Sequence, residues 1–233
     1  MLHRGRFRAR LAEDAADLDG ALNLRARCFR GGQGGDGDAH DASCRHLLIE
    51  TRDQGALAAC FRFRIFATGS AVEDSYSARF YDLSPLAVVR QPMMELGRFC
   101  TDPDRRDPDL LRLAFACVVR LVDADAVAML FGCSSFDGAD PGRHRAALAR
   151  LAPHLAPKAL SPLRRAAEVA FFAPSESGVA PLPPLLQSYL ALGGWVSDHA
   201  VVDREMDTLH VFTGVEIAAI PAARARLMRA LAA

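Results

Sequence analysis

The chain predicts an α/β fold, a mixed sheet covered by helices on both faces. Three observations carry that expectation. Segments with the two-residue period of strands alternate with segments of helical period in the order β-α-β-β-β-α-β-α, and further strands follow near the end. Hydrophobic residues fill 51% of the 233 positions, enough for a substantial core. No linker-like stretch interrupts the pattern, so residues 1–233 read as a single domain.

Gly5 to Leu11 alternates apolar and basic residues, as a first strand would. Ala12 to Phe29 follows as an amphipathic helix through Leu18, Ala21, Leu22, Leu24 and Cys28. Gly31 to Ser43 is a glycine-rich acidic loop. Its glycines lack the strand-then-helix setting of a phosphate loop, and its aspartates would repel phosphate. His46 to Thr51 and Ala56 to Phe66 read as strands joined by a hairpin turn at Asp53-Gln54-Gly55. Gly69 to Val89 is mixed, with a short helix around Ser75 to Phe80. A strand around Glu95 comes next. Asp107-Pro108 then supplies an N-cap and a proline at the first helical position, opening a long helix to Asp123. Val127 to Phe136 is a strongly apolar strand and Pro141 to Leu151 a helix. Leu155 to Pro184 is proline-rich and irregular, with a short strand at Val169 to Phe172. A helix from Pro184 to Leu192 ends at Gly193-Gly194. Trp195 to Val202 and Thr208 to Val215 are strands, and Pro221 to Leu231 closes the chain as an amphipathic helix.

Formal net charge is zero, so no global field argues for nucleic acid. Lys158 is the only lysine among the basic residues, a bias that suits genome composition better than a special need for guanidinium forks. No apolar run reaches the ~18–20 residues that span a bilayer, and the N-terminus lacks the apolar core of a signal peptide. The expected location is therefore the cytoplasm, with contact at the inner membrane surface left open. The final helix, with Arg224, Arg226 and Arg229 beside Leu227, Met228 and Leu231, could rest on anionic lipid, although such a helix more often packs on the sheet. The six cysteines contain no Cys-x-x-Cys, and no histidine pair stands at a metal-binding spacing. Reduced, buried thiols and no metal site are expected. Asp198, His199, Asp203 and His210 read as strand-surface polarity scattered by alternation.

The most informative stretch is Met94-Glu95-Leu96-Gly97-Arg98-Phe99-Cys100, a strand bounded by Pro92 and Pro103. It holds a carboxylate, a glycine and a guanidinium where a strand core wants none of them. On a straight strand Glu95 and Arg98 would face opposite ways. A bulge at Gly97 would restore parity and aim both into one cleft. The same residues also fit a half-exposed strand with a surface ion pair. Gly132-Cys133-Ser134-Ser135 lacks the second glycine of a nucleophile elbow, which argues against a serine hydrolase.

Four motifs in order now resemble a known group. Leu24-Arg25-Ala26-Arg27-Cys28-Phe29 carries an Arg followed four residues on by Phe. Asp38 and Asp41 lead into Cys44-Arg45-His46-Leu47-Leu48, and Arg62 falls on the next strand. Glu95-Leu96-Gly97-Arg98-Phe99 is the central motif, and Phe131-Gly132-Cys133-Ser134-Ser135-Phe136 the strand beside it. Together they resemble the acyl-carrier-protein-dependent N-acyltransferases of GNAT type, the ornithine-lipid synthases and their cousins the acyl-homoserine-lactone synthases, from about Arg6 to Val215. The resemblance implies a GNAT-like α/β fold with a mixed, mostly antiparallel central sheet. It also implies transfer of a long (3-hydroxy)acyl group from acyl carrier protein to the α-amine of an amino acid, with ornithine first and glutamine or glycine open. Substrate-binding roles would fall on Arg25, Phe29, Asp38, Asp41, Arg62, Arg98, Phe99, Ser134 and Ser135.

The residues support amide-forming chemistry in their own right. Glu95 in a cleft can take the amine proton directly or through one water, and N–H groups freed by a bulge at Gly97 can face the developing oxyanion. A bidentate Arg suits an amino-acid carboxylate, and Asp38 and Asp41 suit a side-chain ammonium. No glycine lies between Gly97 and Gly132, and the turn after the central strand carries Asp102, Asp104, Asp107 and Asp109. Four acids would repel the diphosphate of coenzyme A. A carrier protein avoids that conflict, bringing its own phosphopantetheine so that no cofactor need reside in the enzyme. Arg105, Arg106, Arg112, Arg143 and Arg145 could meet its acidic surface. Acyl-homoserine-lactone synthases carry an aromatic in the acidic loop, and Gly31 to Ser43 has none. The lactone-synthase activity is thus the alternative, and a non-catalytic acyl or carrier-protein binder is another.

Overall fold

A computed structural model describes residues 2–105, 107–173 and 180–232. In chain order its elements are β1 (Leu2–Arg4), β2 (Phe7–Leu11), α1 (Ala15–Phe29), β3 (Arg45–Thr51), β4 (Leu57–Phe66), β5 (Tyr81–Asp82), β6 (Met93–Thr101), α2 (Pro108–Ala124), β7 (Met129–Asp137), α3 (Pro141–Ala149), β8 (Leu163–Arg164), β9 (Val169–Phe171), α4 (Pro184–Ala191), β10 (Trp195–Asp203), β11 (Thr208–Glu216) and α5 (Ala222–Ala232).

Asp14 caps α1, its side chain accepting the Asp17 N–H, so the helix begins three residues later than its apolar period suggests. Asp107 and Asp140 cap α2 and α3 in the same way, each followed by proline at the first helical position. The expected first strand is a hairpin instead. Gly5, at φ +52°, turns the chain between β1 and β2, and a three-residue strand is too short to show a period. The helix expected at Ser75–Phe80 is replaced by short 3-10 turns, Gly69–Asp74 and Ser77–Arg79. Gly69 is obligatory there, because a Cβ would lie 1.8 Å from the Leu86 carbonyl oxygen.

The chain forms two compact units. The first comprises Met1–Arg64, Leu96–Val127 and Ala222–Ala233. Its strands run in the order β1-β2-β3-β4-β6, with antiparallel pairing from β1 through β4. Ala21 and Leu24 of α1 pack on Leu48, Cys60 and Cys100 of the strands. On α2, the Arg120 guanidinium donates to the Ala232 carbonyl oxygen of α5.

The second unit comprises Ile65–Glu95 and Ala128–Pro221. Its strand order is β6-β7-β11-β10-β9, antiparallel except for β6 with β7, and β5 pairs separately with β8. One core gathers Tyr81, Leu83, Leu86, Met93, Phe131, Trp195 and Phe212, and another Leu148, Leu151, Leu186, Val196 and Leu209. The fold is the mixed, mostly antiparallel α/β arrangement that the sequence predicts. β6 contributes Met93–Glu95 to the second unit and its remaining residues to the first.

Candidate active site

In the second unit, parallel pairing of β6 with β7 runs Met93↔Met129, Met94↔Leu130 and Glu95↔Phe131. Glu95 stands at the last of these pairs and is only 6% exposed. Its carboxylate closes the 3-10 turn at Ser77–Arg79. Oε2 accepts the Tyr76 N–H at 3.0 Å, and Oε1 accepts the Ser77 N–H at 2.8 Å and the Ser77 hydroxyl at 2.7 Å. A helical turn leaves its first N–H groups unsatisfied, and a buried carboxylate is a strong acceptor for them. The Cys133 thiol in turn donates to Ser77 Oγ at 3.6 Å. All three donors to Glu95 are neutral, and among the described residues no ion pair involves it. A proton arriving at Ser77 Oγ needs one short transfer to reach the carboxylate.

Tyr81 lies buried nearby in sequence, its hydroxyl donating to the His210 carbonyl oxygen at 2.9 Å. Its ring packs against those of His199 and His210 at 5.3 and 5.7 Å. Both histidines are 2% exposed, which corrects their reading as strand-surface polarity: the alternation of β10 and β11 turns these rings to the core side. Burial lowers the His210 pKa to about 4, with His199 adding to the effect and Asp203 opposing it. No group of His, Cys, Asp and Glu among the described residues is arranged to hold a metal ion.

In the first unit, the expected substrate-binding charges meet one another. Arg25, 1% exposed, donates through Nε to Asp36 at 2.8 Å and through Nη1 to Asp41 at 2.7 Å; Nη2 bonds the Asp36 carbonyl oxygen and Asp41. Arg62 donates to Asp38 at 2.6 Å and to Asp41 at 2.7 Å. Arg98 reaches Asp36 at 3.3 Å and Asp38 at 3.4 Å. The Asp38 N–H closes the loop onto Asp41 Oδ2 at 2.8 Å. Hydrogen bonds and charge from Arg25 and Arg62 outweigh burial and hold the Asp41 carboxyl well below the usual range; Asp38 is lowered mainly by Arg62. The acidic loop is thus folded inward as a lattice, not solvated. Asp36, fully buried with Arg25, was not among the expected residues; its one signal is its place in the same Asp-rich loop.

At the position where a bulge is expected, the left-handed backbone falls on the residue after Gly97. Gly97 keeps an ordinary backbone, and a Cβ there would only touch Arg62 at 3.8 Å. Arg98 instead has φ +53°, a left-handed conformation that costs a residue with a Cβ about 1–2 kcal/mol. Its ion pairs hold it there, and its guanidinium sits 5.9 Å from the centre of the Phe29 ring. Phe99 packs on Phe61 at 6.1 Å. Ser134 accepts from the Thr213 hydroxyl at 2.9 Å, and Ser135 is exposed.

The turn after β6 uses its acids internally. Asp102 pairs with Arg105, Asp107 with Arg6, and Asp109 with Arg4 and Arg112. Of the arginines expected to meet a partner, Arg105 and Arg112 carry these pairs in the first unit. Arg143 and Arg145 are exposed on α3 in the second, and Arg106 lies outside the described residues.

The acetyltransferase (GNAT) domain family matches residues 25–116. An L-ornithine N(alpha)-acyltransferase of Rhizobium meliloti is 30% identical, covering 91% of this chain and 80% of its own length. The chain belongs to the L-ornithine N(alpha)-acyltransferase family. The Rhodobacter capsulatus member is 29% identical over 88% of both chains. Among solved structures, FeeM, an N-acyl amino acid synthase from uncultured soil microbes, aligns with a TM-score of 0.55 at 10% identity, covering 91% of this chain and 93% of its own. That likeness supports the fold. Family membership makes this chain an acyltransferase, so Glu95 and the charged lattice belong to an enzyme.

Proposed function

We propose that the chain transfers a long acyl group, carrying a 3-hydroxyl, from acyl carrier protein to the α-amine of ornithine, giving a lyso-aminolipid. The observation that carries the reading is a buried carboxylate held only by neutral donors, with a serine hydroxyl 2.7 Å away, on the central strand of a family acyltransferase. The neutral amine attacks the thioester carbon, forming C–N as the carbonyl becomes an oxyanion. The ammonium proton passes through Ser77 Oγ to Glu95. Collapse of the oxyanion breaks C–S, and Glu95 returns the proton to the departing carrier thiolate. The oxyanion is assigned to backbone N–H donors of the Gly97-Arg98 segment, where the left-handed Arg98 interrupts the regular strand.

Arg98 and Asp38, whose side chains keep 13% and 18% exposure, are assigned the carboxylate and δ-ammonium of ornithine. Arg25 and Asp41, more deeply buried, hold the lattice that orients them. Phe29, Phe99, Ser134 and Ser135 are assigned to the acyl and pantetheine path. Carrier protein fits better than coenzyme A, because the first N–H groups of α2 already face the Asp107 carboxylate and Asp109 stands in the first turn. Arg105, Arg112, Arg143 and Arg145 are assigned to the acidic carrier. No helix among the described residues is long and apolar enough to cross a membrane, while Arg224, Arg226 and Leu227 are exposed on α5, a face suited to an anionic leaflet.

The test is reconstitution of the purified protein with 3-hydroxyacyl carrier protein and L-ornithine. Carrier-thiol release and the mass of the amide are followed, with the matching acyl coenzyme A as a second donor and glutamine and glycine as competing acceptors. The expected result is ornithine-dependent thiol release with carrier strongly preferred. Release independent of ornithine, or equal use of coenzyme A, would overturn the corresponding assignment.

A further inference from the structure

We propose that Cys28, Cys60 and Cys100 form a peroxide-reactive thiol relay that closes a disulfide on Cys100 and suppresses acyl transfer. The loss of activity, though not the thiol chemistry, rests on the function proposed above. None of the three takes part in that chemistry, yet they converge from three segments of the first unit. Cys28 is on the last turn of α1, Cys60 on β4 and Cys100 on β6. The Asp102 N–H bonds the Ala58 carbonyl oxygen at 2.8 Å, and two residues further along each strand Cys60 and Cys100 stand opposite one another. Their sulfurs are 3.6 Å apart. The Cys28 thiol donates to the carbonyl oxygen of Thr101, the residue after Cys100, at 3.3 Å, and Cys28 packs against the core that holds Cys60 and Cys100. The other fully buried side chains of this core are Ala21, Leu24 and Leu48, a setting that alanine or valine would fill without thiol chemistry.

The three thiols divide the labour by environment. Cys28 is half-exposed, and the Cys100 thiol together with the positive charge of Arg27 lowers its pKa against the opposing effect of burial. The two neighbouring thiols and burial push Cys100 up, so it waits as a protonated partner. A hydroperoxide accepts the electron pair of the Cys28 thiolate. The S–O bond forms, the O–O bond breaks, and water or an alcohol leaves with one proton. The Cys100 thiol then attacks the sulfenic sulfur, forming S–S, breaking S–O and releasing water. Two thiols have lost two electrons and one peroxide has gained them. Cys60 can next displace Cys28 from Cys100 by thiol–disulfide exchange. A disulfide needs about 2.05 Å between sulfurs, so closing the Cys60–Cys100 gap brings the two sulfurs together by roughly 1.5 Å and fixes both side chains. Cys60 lies two residues before Arg62, Cys100 two after Arg98, and Cys28 just before Phe29. The cross-link therefore constrains segments that carry the charged lattice.

The reduced full chain is treated with near-stoichiometric hydrogen peroxide and read by intact mass, by a non-reducing peptide map and by the acyl-transfer assay. The expected result is loss of two hydrogens with no oxygen retained, a peptide joining Cys100 to Cys28 or Cys60, and at least a fivefold loss of activity that a thiol reductant restores. Cys28→Ser should slow the cross-link at least tenfold. Stable oxygenation of Cys28 with no link to Cys100 would overturn the proposal. So would oxidation of Cys44 and Cys133, also half-exposed, at the same rate as Cys28, or a Cys100 disulfide that leaves activity unchanged. The wild-type map reads the chemistry whether or not the variant folds and whichever acceptor the enzyme uses.

Discussion

The two polar clusters hold their carboxylates in opposite ways. In the first unit Asp36, Asp38 and Asp41 face guanidiniums, and each charge is matched by a fixed partner within 2.6–3.4 Å. In the second unit Glu95 is held by two backbone N–H groups and a hydroxyl. A deeply buried carboxylate locked between arginines, as Asp36 and Asp41 are, is a structural element, since breaking a buried ion pair leaves the other charge poorly compensated in low dielectric. A carboxylate held by neutral dipoles is as well ordered, but no fixed cation neutralises it. In the proposed mechanism its charge is left for the proton that amide formation releases, so that the lattice organises and Glu95 reacts.

The largest expected effect separates the two directly. Glu95→Gln removes the proton acceptor and should slow turnover by about 10²–10⁴-fold, measured as carrier-thiol release. Its stability cost is smaller, about 1–2 kcal/mol, because an amide nitrogen is placed against the Tyr76 N–H. Asp41→Asn should do the reverse. It takes one of two carboxylates from each of Arg25 and Arg62, which keep Asp36 and Asp38, and should cost about 1.5–3 kcal/mol in urea unfolding, lowering Tm by roughly 3–12 °C for a chain of this size. Molecules still folded should retain most of their rate.

A smaller effect is set by pH. The folded His210 pKa of about 4 lies below its unfolded value, so between those values the unfolded state binds more protons and stability rises with pH. That contribution is intact above the ordinary histidine pKa and is lost as pH falls toward 4. Between pH 7 and pH 5 the loss should be about 2 kcal/mol. Burial lowers the His46 pKa too and acts in the same direction, while the depressed aspartates of the lattice matter only in more acidic solution. Unfolding midpoints at the two pH values should differ clearly less in His210→Phe than in the natural chain. The smallest effect on the fold belongs to Gly97→Ala. Its Cβ meets only Arg62 at 3.8 Å, so the midpoint should move by less than about 1 kcal/mol. A rate loss in that variant would place the need for glycine with the substrate and not with the fold.

Much of this architecture was legible because local chemistry and global fold agree. The Asp-Pro pairs at 107–108 and 140–141 mark helix starts in the structure as they do in the sequence. Glu95 and Arg98 stood out because charge interrupts an apolar strand. Several features left no periodic trace. β1 is too short, and the 3-10 turns over Gly69–Arg79 depend on a carboxylate from a distant strand. Asp36 could not be ranked above its neighbours, because the partners that bury it are brought in by the fold from α1 and β6. The sequence points to Gly97 as the irregular position because glycine ordinarily accepts such backbone, whereas the left-handed residue is Arg98. The buried histidines were misplaced because alternation says which residues share a face but not which face is covered.

The most direct measurement is single-turnover carrier-thiol release by Glu95→Gln, run beside its urea midpoint on the same preparation. The expected result is an unfolding free energy within about 2 kcal/mol of the natural chain and a rate at least hundredfold lower. A variant that folds as well and turns over at the natural rate would contradict it.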